Sequence, residues 1–381
     1  MAIEVVLHER DETTGVSRLT ATHRAGRLET PHRLITRNDL NALSRVGVVA
    51  PLTLEQRAFV LERNLNPDSC TSILERTDYL ATSVNEITGV LQRVDRTALK
   101  VVYVKFTEEA HRALPADGET RARLLAHVLE LTQSVPASAF ALPIDLLREA
   151  EWEILRRGQL PIIPVINIRS PRRFVEEGIA RCEREGASLV PFVGLTFATY
   201  ARATHGYQAV MSLKERIHER AKQGIIVFGA PRSLPDSSLT SGGISSPHYG
   251  SFLISDITGE VYHRGGSSDP RRVAKMFVSK ELAVRQITPN SPLDGTEQES
   301  AIFQKDRELL GLFERTATGM NTTLDWERNR PSAVARLHEA FASSQEFSKM
   351  RRSIAHSELG HYLSQKKLLL AYIHRERGTQ N

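Results

Sequence analysis

Between residues 119 and 231 the chain alternates short apolar runs with helical segments. "SAFALPID", "LPIIPVIN", "SLVPFVGLT" and "IIVFGAP" are the apolar runs. Each follows a segment of helical period: "ETRARLLAHVLELTQSV", "DLLREAEWEILRRG", "PRRFVEEGIARCEREG" and "GYQAVMSLKERIHERAKQG". The runs are apolar on both faces, as strands buried in a parallel sheet are. Gly158 and Gly186 close two of the helices, and Pro171 after Ser170 opens one. Successive units are spaced by about 20 to 35 residues, which suits βα units. An open doubly wound sheet and a closed (β/α)₈ barrel both fit, and the length and rhythm favour the barrel. In either, the C-terminal strand ends converge on one site. Here those ends carry Asp145, Asn167, Gly194 and Gly229.

The flanking sequence is less regular. "IEVVL" (Ile3–Leu7) reads as a short strand, and "HRAGRLETPHRLITRNDL" as a strand entering a turn. Pro31 fixes its own φ and biases Thr30 toward extended geometry. "TLEQRAFVLERNL" is helical in period, whereas "ALKVVYVKF" (Ala98–Phe106) is a strand. After Pro231 comes a Gly/Ser-rich loop, "RSLPDSSLTSGGISSPHYG", and then "SFLISDITGEVYHRGG", which reads as a hairpin turning at Asp256 to Gly259. From about residue 297 the chain is helical in period. The expected organisation is N-terminal strands over 1–40, a TIM-like barrel over 41–270 and a mostly helical extension over 271–381.

No apolar run has the length of a membrane span, about 18 residues. The acidic N-terminus, MAIEVVLHERDETTG, is unlike a signal peptide, so the expected location is cytoplasmic with no membrane partner. Two cysteines, Cys70 and Cys182, are too few for a disulfide scaffold or a four-thiolate zinc site. The net charge of +5 permits a polyanionic partner. Basic pairs at Arg172–Arg173, Arg271–Arg272, Arg351–Arg352 and Lys366–Lys367 are individually ordinary surface, and together they favour nucleic acid.

"GRLETPH" (Gly26 to His32) resembles the opening motif of the tRNA-guanine transglycosylases. "DGETRARLLAHVLELTQSVPASAFALPID" is similar to that family's helix and strand ending in the Asp that reads the base. "PIIPVIN" stands where its Val-Gln-Gly strand would be, "VPFVGLT" is similar to its Gly-Gly-Leu strand, and "IIVFGAP" to its Gly-x-Gly-x-Pro strand. "GSFLISDITGEVYHRG" looks like its hairpin near the catalytic Asp, and "FSKMRRSIAHSELGHYLSQKKLLLAY" like its closing helix. The resemblance covers most of 119 to 375 and the N-terminal motif; residues 40–118 do not align. It implies a (β/α)₈ barrel and an exchange of guanine in a polynucleotide, tRNA or DNA, for a 7-deazaguanine base. It also implies no organic cofactor. The chain departs from the family in several places. Arg33 stands at a Gly position and Thr36-Arg37 at a Thr-Pro. The Asp-Ser-Gly-Gly-Phe motif is absent, with Asp68 and Asp78 its nearby candidates. Asn167 replaces a Gln. The three Cys and one His of the family's zinc site are missing, so no metal is expected.

Under this resemblance Asp236 of "PDSSL" is the candidate nucleophile at C1′, with His248 and Asp256 next in line, and a second acid assists proton transfer. Asp145, paired with Asp236 in the catalytic set, would hold the guanine N1–H and N2–H₂ edge. Asn167, Gly194 and Gly229 would contact the base, and Arg271, Arg272, Arg351, Arg352, Lys366 and Lys367 the nucleic acid. Each has an ordinary alternative. Asp236 suits a loop or N-cap, Asp145 would cap a helix starting at Leu146, and Asn167 is a common strand-end residue. His356 and His361 are five apart, where zinc helices use four, and read as surface histidines. "SGGISS" follows no strand and lacks a P-loop lysine. Two other functions compete with base exchange. One is a catalytically silent paralogue that binds nucleic acid or a partner subunit in a homo- or hetero-oligomer. The other is an unrelated barrel enzyme acting on a small molecule.

Overall fold

The computed structural model describes residues 3–11, 14–46, 57–114, 117–144, 149–157, 160–168, 170–196, 212–228, 244–247, 256–259, 275–279, 282–286, 325–366 and 369–370. The protein is a mixed α/β structure built on a nearly closed, parallel, barrel-like sheet surrounded by helices. The barrel strands are β4 (His32–Arg33), β5 (Ile35–Thr36), β6 (Ala58–Leu65), β7 (Leu99–Phe106), β8 (Ala139–Pro143), β9 (Ile162–Asn167), β10 (Phe192–Thr196), β11 (Gly224–Val227) and β13 (Ile257–Thr258). Their spatial order is β4-β13-β11-β10-β9-β8-β7-β6-β5. The two ends of that order, β4 and β5, are separated in sequence by Leu34 alone. One extended segment, residues 32–36, therefore pairs with β13 on one side and β6 on the other. Parallel pairing spans eight rungs between β6 and β7, from Ala58↔Leu99 to Leu65↔Phe106.

Strand alternation explains the closure. In "AFAL" of β8, Ala139 and Ala141 face inward among Leu34, Val60, Val101, Ile163, Val165, Phe192, Ile226 and Phe228. Phe140 and Leu142 face outward into the layer beneath the helices. Both layers are dry, which is why the strands read as unbroken apolar runs. The helices α2 (Pro67–Glu75), α3 (Thr77–Leu91), α5 (Gly118–Gln133), α6 (Glu149–Arg156) and α7 (Arg172–Leu189) follow their strands in chain order. α2 opens with Asn66 as N-cap, accepting from the Ser69 amide, and Pro67 in its first turn.

A three-stranded antiparallel sheet, β1 (Glu4–Arg10), β2 (Ser17–His23) and β3 (Gly26–Glu29), closes the N-terminal end of the barrel. Its Leu19, Ala21 and Leu28 belong to the barrel interior. "GRLETPH" is thus β3 and the turn into the first barrel strand, with a cis Thr30–Pro31 peptide. Gly26 is fixed by a close approach: a Cβ there would stand 2.9 Å from the Thr97 carbonyl oxygen, just before β7.

The C-terminal part forms a separate small core. It joins the hairpin β14 (Lys275–Val278) and β15 (Ala283–Gln286) to α8 (Asp325–Ala355) and α9 (Leu359–Ser364), through Phe277, Leu282, Phe347, Met350, Ile354, Tyr362 and Leu363. α8 returns to the barrel's opening strand. There the Arg351 guanidinium donates to the Pro31 carbonyl at 2.7 Å and contacts His32 Nδ1 at 3.2 Å. Arg33 lies buried against Asp39 and reaches Glu339 of α8.

Several expectations change. The segment 58–65 is a strand, not a helix, because Ala58–Leu61 are buried on both faces between β5 and β7. Ile257–Thr258 is a parallel barrel strand rather than one arm of a hairpin at Asp256. The barrel's first strand comes from within residues 1–40. Beyond the barrel, β14 and β15 pair with β12 (Ile244–Pro247) in an antiparallel sheet. No described helix is long and apolar enough to cross a membrane.

Candidate functional site

With the N-terminal end covered, the open mouth of the barrel lies at the C-terminal strand ends, where βα-barrels bind their ligands. A cleft of about 1070 Å³ lies there. The last residues of four successive strands line it: Phe106 of β7, Pro143 of β8, Asn167 of β9 and Thr196 of β10. Tyr103 and Val165 lie deeper, and α7 supplies the outer wall with Phe174, Gly178, Arg181 and Arg184.

Tyr103 lines the cleft from below, and Phe228 packs behind it. The Tyr103 and Phe228 rings stack tilted, with centroids 4.6 Å apart. Lys105 Nζ sits 4.9 Å from the centre of the Tyr103 ring and 2.6 Å from Glu62 Oε2. Glu62 and Tyr103 are register partners across β6 and β7, so acid, base and ring share the inner face. Gly194 is one inward step below Thr196. A Cβ there would meet Phe228 Cε2 at 2.8 Å and Val165 Cγ2 at 2.9 Å. Gly194 therefore leaves room for the Phe228 ring behind Tyr103. Gly194→Ala is expected to cost about 1–3 kcal/mol through overpacking. Urea denaturation measures it, and a Phe228→Leu background should recover part of the loss.

Chemically, the cleft offers an aromatic surface for a flat ligand, the Asn167 amide at its rim, and Arg112, Arg181 and Arg184 for anionic groups. Asn167 is exposed. Ile144, the neighbour of Asp145, lines the same cleft. Asp145, Gly229, Asp236, His248, Arg271, Arg272 and Lys367 lie outside the described residues. Asp68 is in the first turn of α2, and Asp78 is exposed and paired with Arg76. His356 and His361 are exposed. Sequence reasoning missed Glu62, Tyr103, Lys105 and Thr196. Their signal was a polar or aromatic residue at alternate positions near the end of a buried strand, as in "VVYVKF" and "AFVLERNL".

A second polar cluster sits at the opposite end. Asp256, just before β13, is fully buried. Its Oδ1 accepts from the Ser17 hydroxyl at 2.6 Å, and its Oδ2 accepts from the Ile225 amide at 2.7 Å and lies 2.8 Å from His218 Nε2. Lys214 is also buried beside it. At the N-terminal face, this cluster holds the plugging strand β2 to the barrel.

The basic residues of the C-terminal part divide. Lys366 is not a surface cation: it is buried, with Nζ 2.6 Å from Glu346 Oε2 and 2.8 Å from the Ser279 carbonyl. Burial pushes its pKa down, and the Glu346 carboxylate acts in the opposite sense. Arg351 anchors α8 to Pro31, while Arg352 is exposed. Arg351→Glu is therefore expected to lose about 1.5–3 kcal/mol of stability, the worth of a charged hydrogen bond. Arg352→Glu should leave stability nearly unchanged and lower only affinity for polyanions at low salt. Chemical denaturation and filter binding of the two single variants separate these effects. No family model matches the chain, and no curated protein matches it.

Proposed function

We propose that the protein is a pentosyltransferase-like enzyme of the guanine-exchange type, replacing guanine in tRNA or DNA with a 7-deazaguanine on a (β/α)₈ barrel. The observation that carries the reading is the convergence of successive strand ends, Phe106, Pro143, Asn167 and Thr196, on one arginine-rimmed cleft at the C-terminal mouth. The Tyr103 ring that lines the cleft, backed by Phe228, suits a flat base taken out of its stack. Asn167 supplies both a donor and an acceptor for a base edge.

In the proposed reaction the Asp236 carboxylate attacks C1′ as the C1′–N9 bond breaks, and a second acid protonates the departing guanine. The incoming base then loses its N9 proton and attacks C1′, releasing the carboxylate. The test incubates the protein with labelled guanine or a labelled 7-deazaguanine, and with tRNA and duplex DNA in separate reactions. Label retained in one polymer supports the reading and selects the substrate. No label in either polymer, alone or with a partner subunit, favours the silent paralogue or a small-molecule barrel enzyme.

A further inference from the structure

We infer that the α7 wall of the cleft is a landing surface for the nucleotide next to the one whose base enters the barrel mouth. Phe174 stacks on that neighbouring base and Arg184 meets a phosphate. The inference rests on the reading of the protein as one acting on a polynucleotide, and it assigns the strand's path.

Among the described residues, Val6 and Phe174 alone are large, apolar and exposed, at 43% and 62%. Val6 is on β1, at the covered end of the barrel. Phe174 is in the first turn of α7 and lines the cleft. Single exposed apolar residues need no explanation in general. This one is an aromatic ring beside arginines at a barrel mouth. Its position is fixed. The Phe174 amide donates to the Pro171 carbonyl at 2.8 Å, and a Cβ at Gly178, one turn on, would be 3.4 Å from both Ile144 and Ile166. The helix thus rests directly on the ends of β8 and β9.

The same stripe of α7 continues through Glu177, Arg181 and Arg184. Among the described lining residues the arginines are Arg112, Arg181 and Arg184, and the acid Glu177 holds Arg173 at 2.8 Å. The Arg181 guanidinium lies 5.9 Å from the centre of the Trp152 ring, which orients it. Arg184 is exposed and has no hydrogen bond or ion pair among the described residues. The cleft volume of about 1070 Å³ is at the upper end of the usual range for a ligand site. Cationic groups and an exposed ring in one groove match a strand whose bases stack and whose phosphates are anionic.

Anisotropy titration of a fluorescein-labelled single-stranded oligonucleotide tests this, with wild type, Phe174→Ala, Phe174→Trp and Arg184→Gln. Phe174→Ala should weaken binding by about 5- to 150-fold, nearly independently of salt. Phe174→Trp should retain affinity. Arg184→Gln should weaken binding and reduce the salt slope by about one. Thermal unfolding should not move, because both side chains are exposed. Wild-type affinity in both Phe174→Ala and Arg184→Gln overturns the inference, as does tighter capture of an acidic peptide than of the strand. A wild type that binds no strand overturns it as well. A label-incorporation assay on wild type runs alongside. Incorporation with unaffected variants rejects the landing surface but keeps base exchange. No incorporation with weakened variants does the reverse.

Discussion

Asp256→Ala is expected to lower the unfolding free energy by about 3–5 kcal/mol, the cost of leaving buried charge without its partner. The carboxylate is fully buried and accepts from Ser17 and the Ile225 amide, with His218 at hydrogen-bond distance. Its loss removes the negative charge beside buried Lys214 and frees β2 from the N-terminal end of the barrel. Burial alone would raise the Asp256 pKa. The charges of His218 and Lys214 and the hydrogen bonds from His218 and Ser17 outweigh it, and hold the pKa down at about 2 instead of 3.8. A carboxylate with a depressed folded pKa stabilises above its unfolded value and loses that contribution as pH falls toward the folded one. Acid denaturation of the wild type should therefore steepen between pH 4 and 2, and Asp256→Ala should lack that component. Lys214 works at the other end. Desolvation lowers its pKa from 10.5 to about 8, against the Asp256 charge. The unfolded chain then binds more protons between those values, so this group makes stability rise with pH from about 8 to 10.5. Lys214→Met should remove that rise. Urea midpoints across pH measure both, and a wild-type midpoint in Asp256→Ala at pH 7 would reject the network as a staple.

The two polar clusters show what a sequence can and cannot disclose. The strands from 139 to 227 are legible because both their faces are dry and helices of clear period separate them. Asn167 and Gly194 are legible as strand ends for the same reason. The strand at 58–65 is not, because Glu62 and Arg63 interrupt its apolar run and imitate a helical period. Glu62 earns its place through Lys105 on the next strand, a partner 43 residues away in sequence. Asp256 and Ser17 are 239 residues apart, so nothing local marks either as buried. Two-residue strands such as Ile257–Thr258 carry no periodicity at all. Lys366 looked like half of a surface pair because its anion, Glu346, sits one helix earlier. Long-range charge pairing is thus the property that composition and period hide.

If base exchange proceeds as proposed, Asp236→Ala is expected to reduce it on the order of 10⁴-fold or more, the scale of removing a covalent nucleophile. The argument is chemical. Exchange at C1′ with retention of the polymer needs a carrier for the ribosyl group between departure of guanine and arrival of the new base. Wild type trapped by denaturation with its polynucleotide and no incoming base should migrate as a covalent adduct. Asp236→Ala should form none, yet bind the strand with near wild-type affinity, since the cleft supplies the contacts. Asp145→Asn should behave differently. A carboxylate presents two acceptors to the guanine N1–H and N2–H₂ edge, and the amide replaces one with a donor. The lost charge-assisted contact is worth about 1.5–3 kcal/mol, or roughly 10- to 150-fold in KM for the base. Its adduct should still form, more slowly. Full incorporation by Asp236→Ala would move the nucleophile to His248. It would not move to Asp256, whose carboxylate is sealed in the barrel floor at the end opposite the cleft. Equal loss of adduct and of strand binding in Asp236→Ala would instead make that residue part of the strand contact, and the carrier would have to be sought among Glu62 within β6 and Asp68 in the first turn of α2.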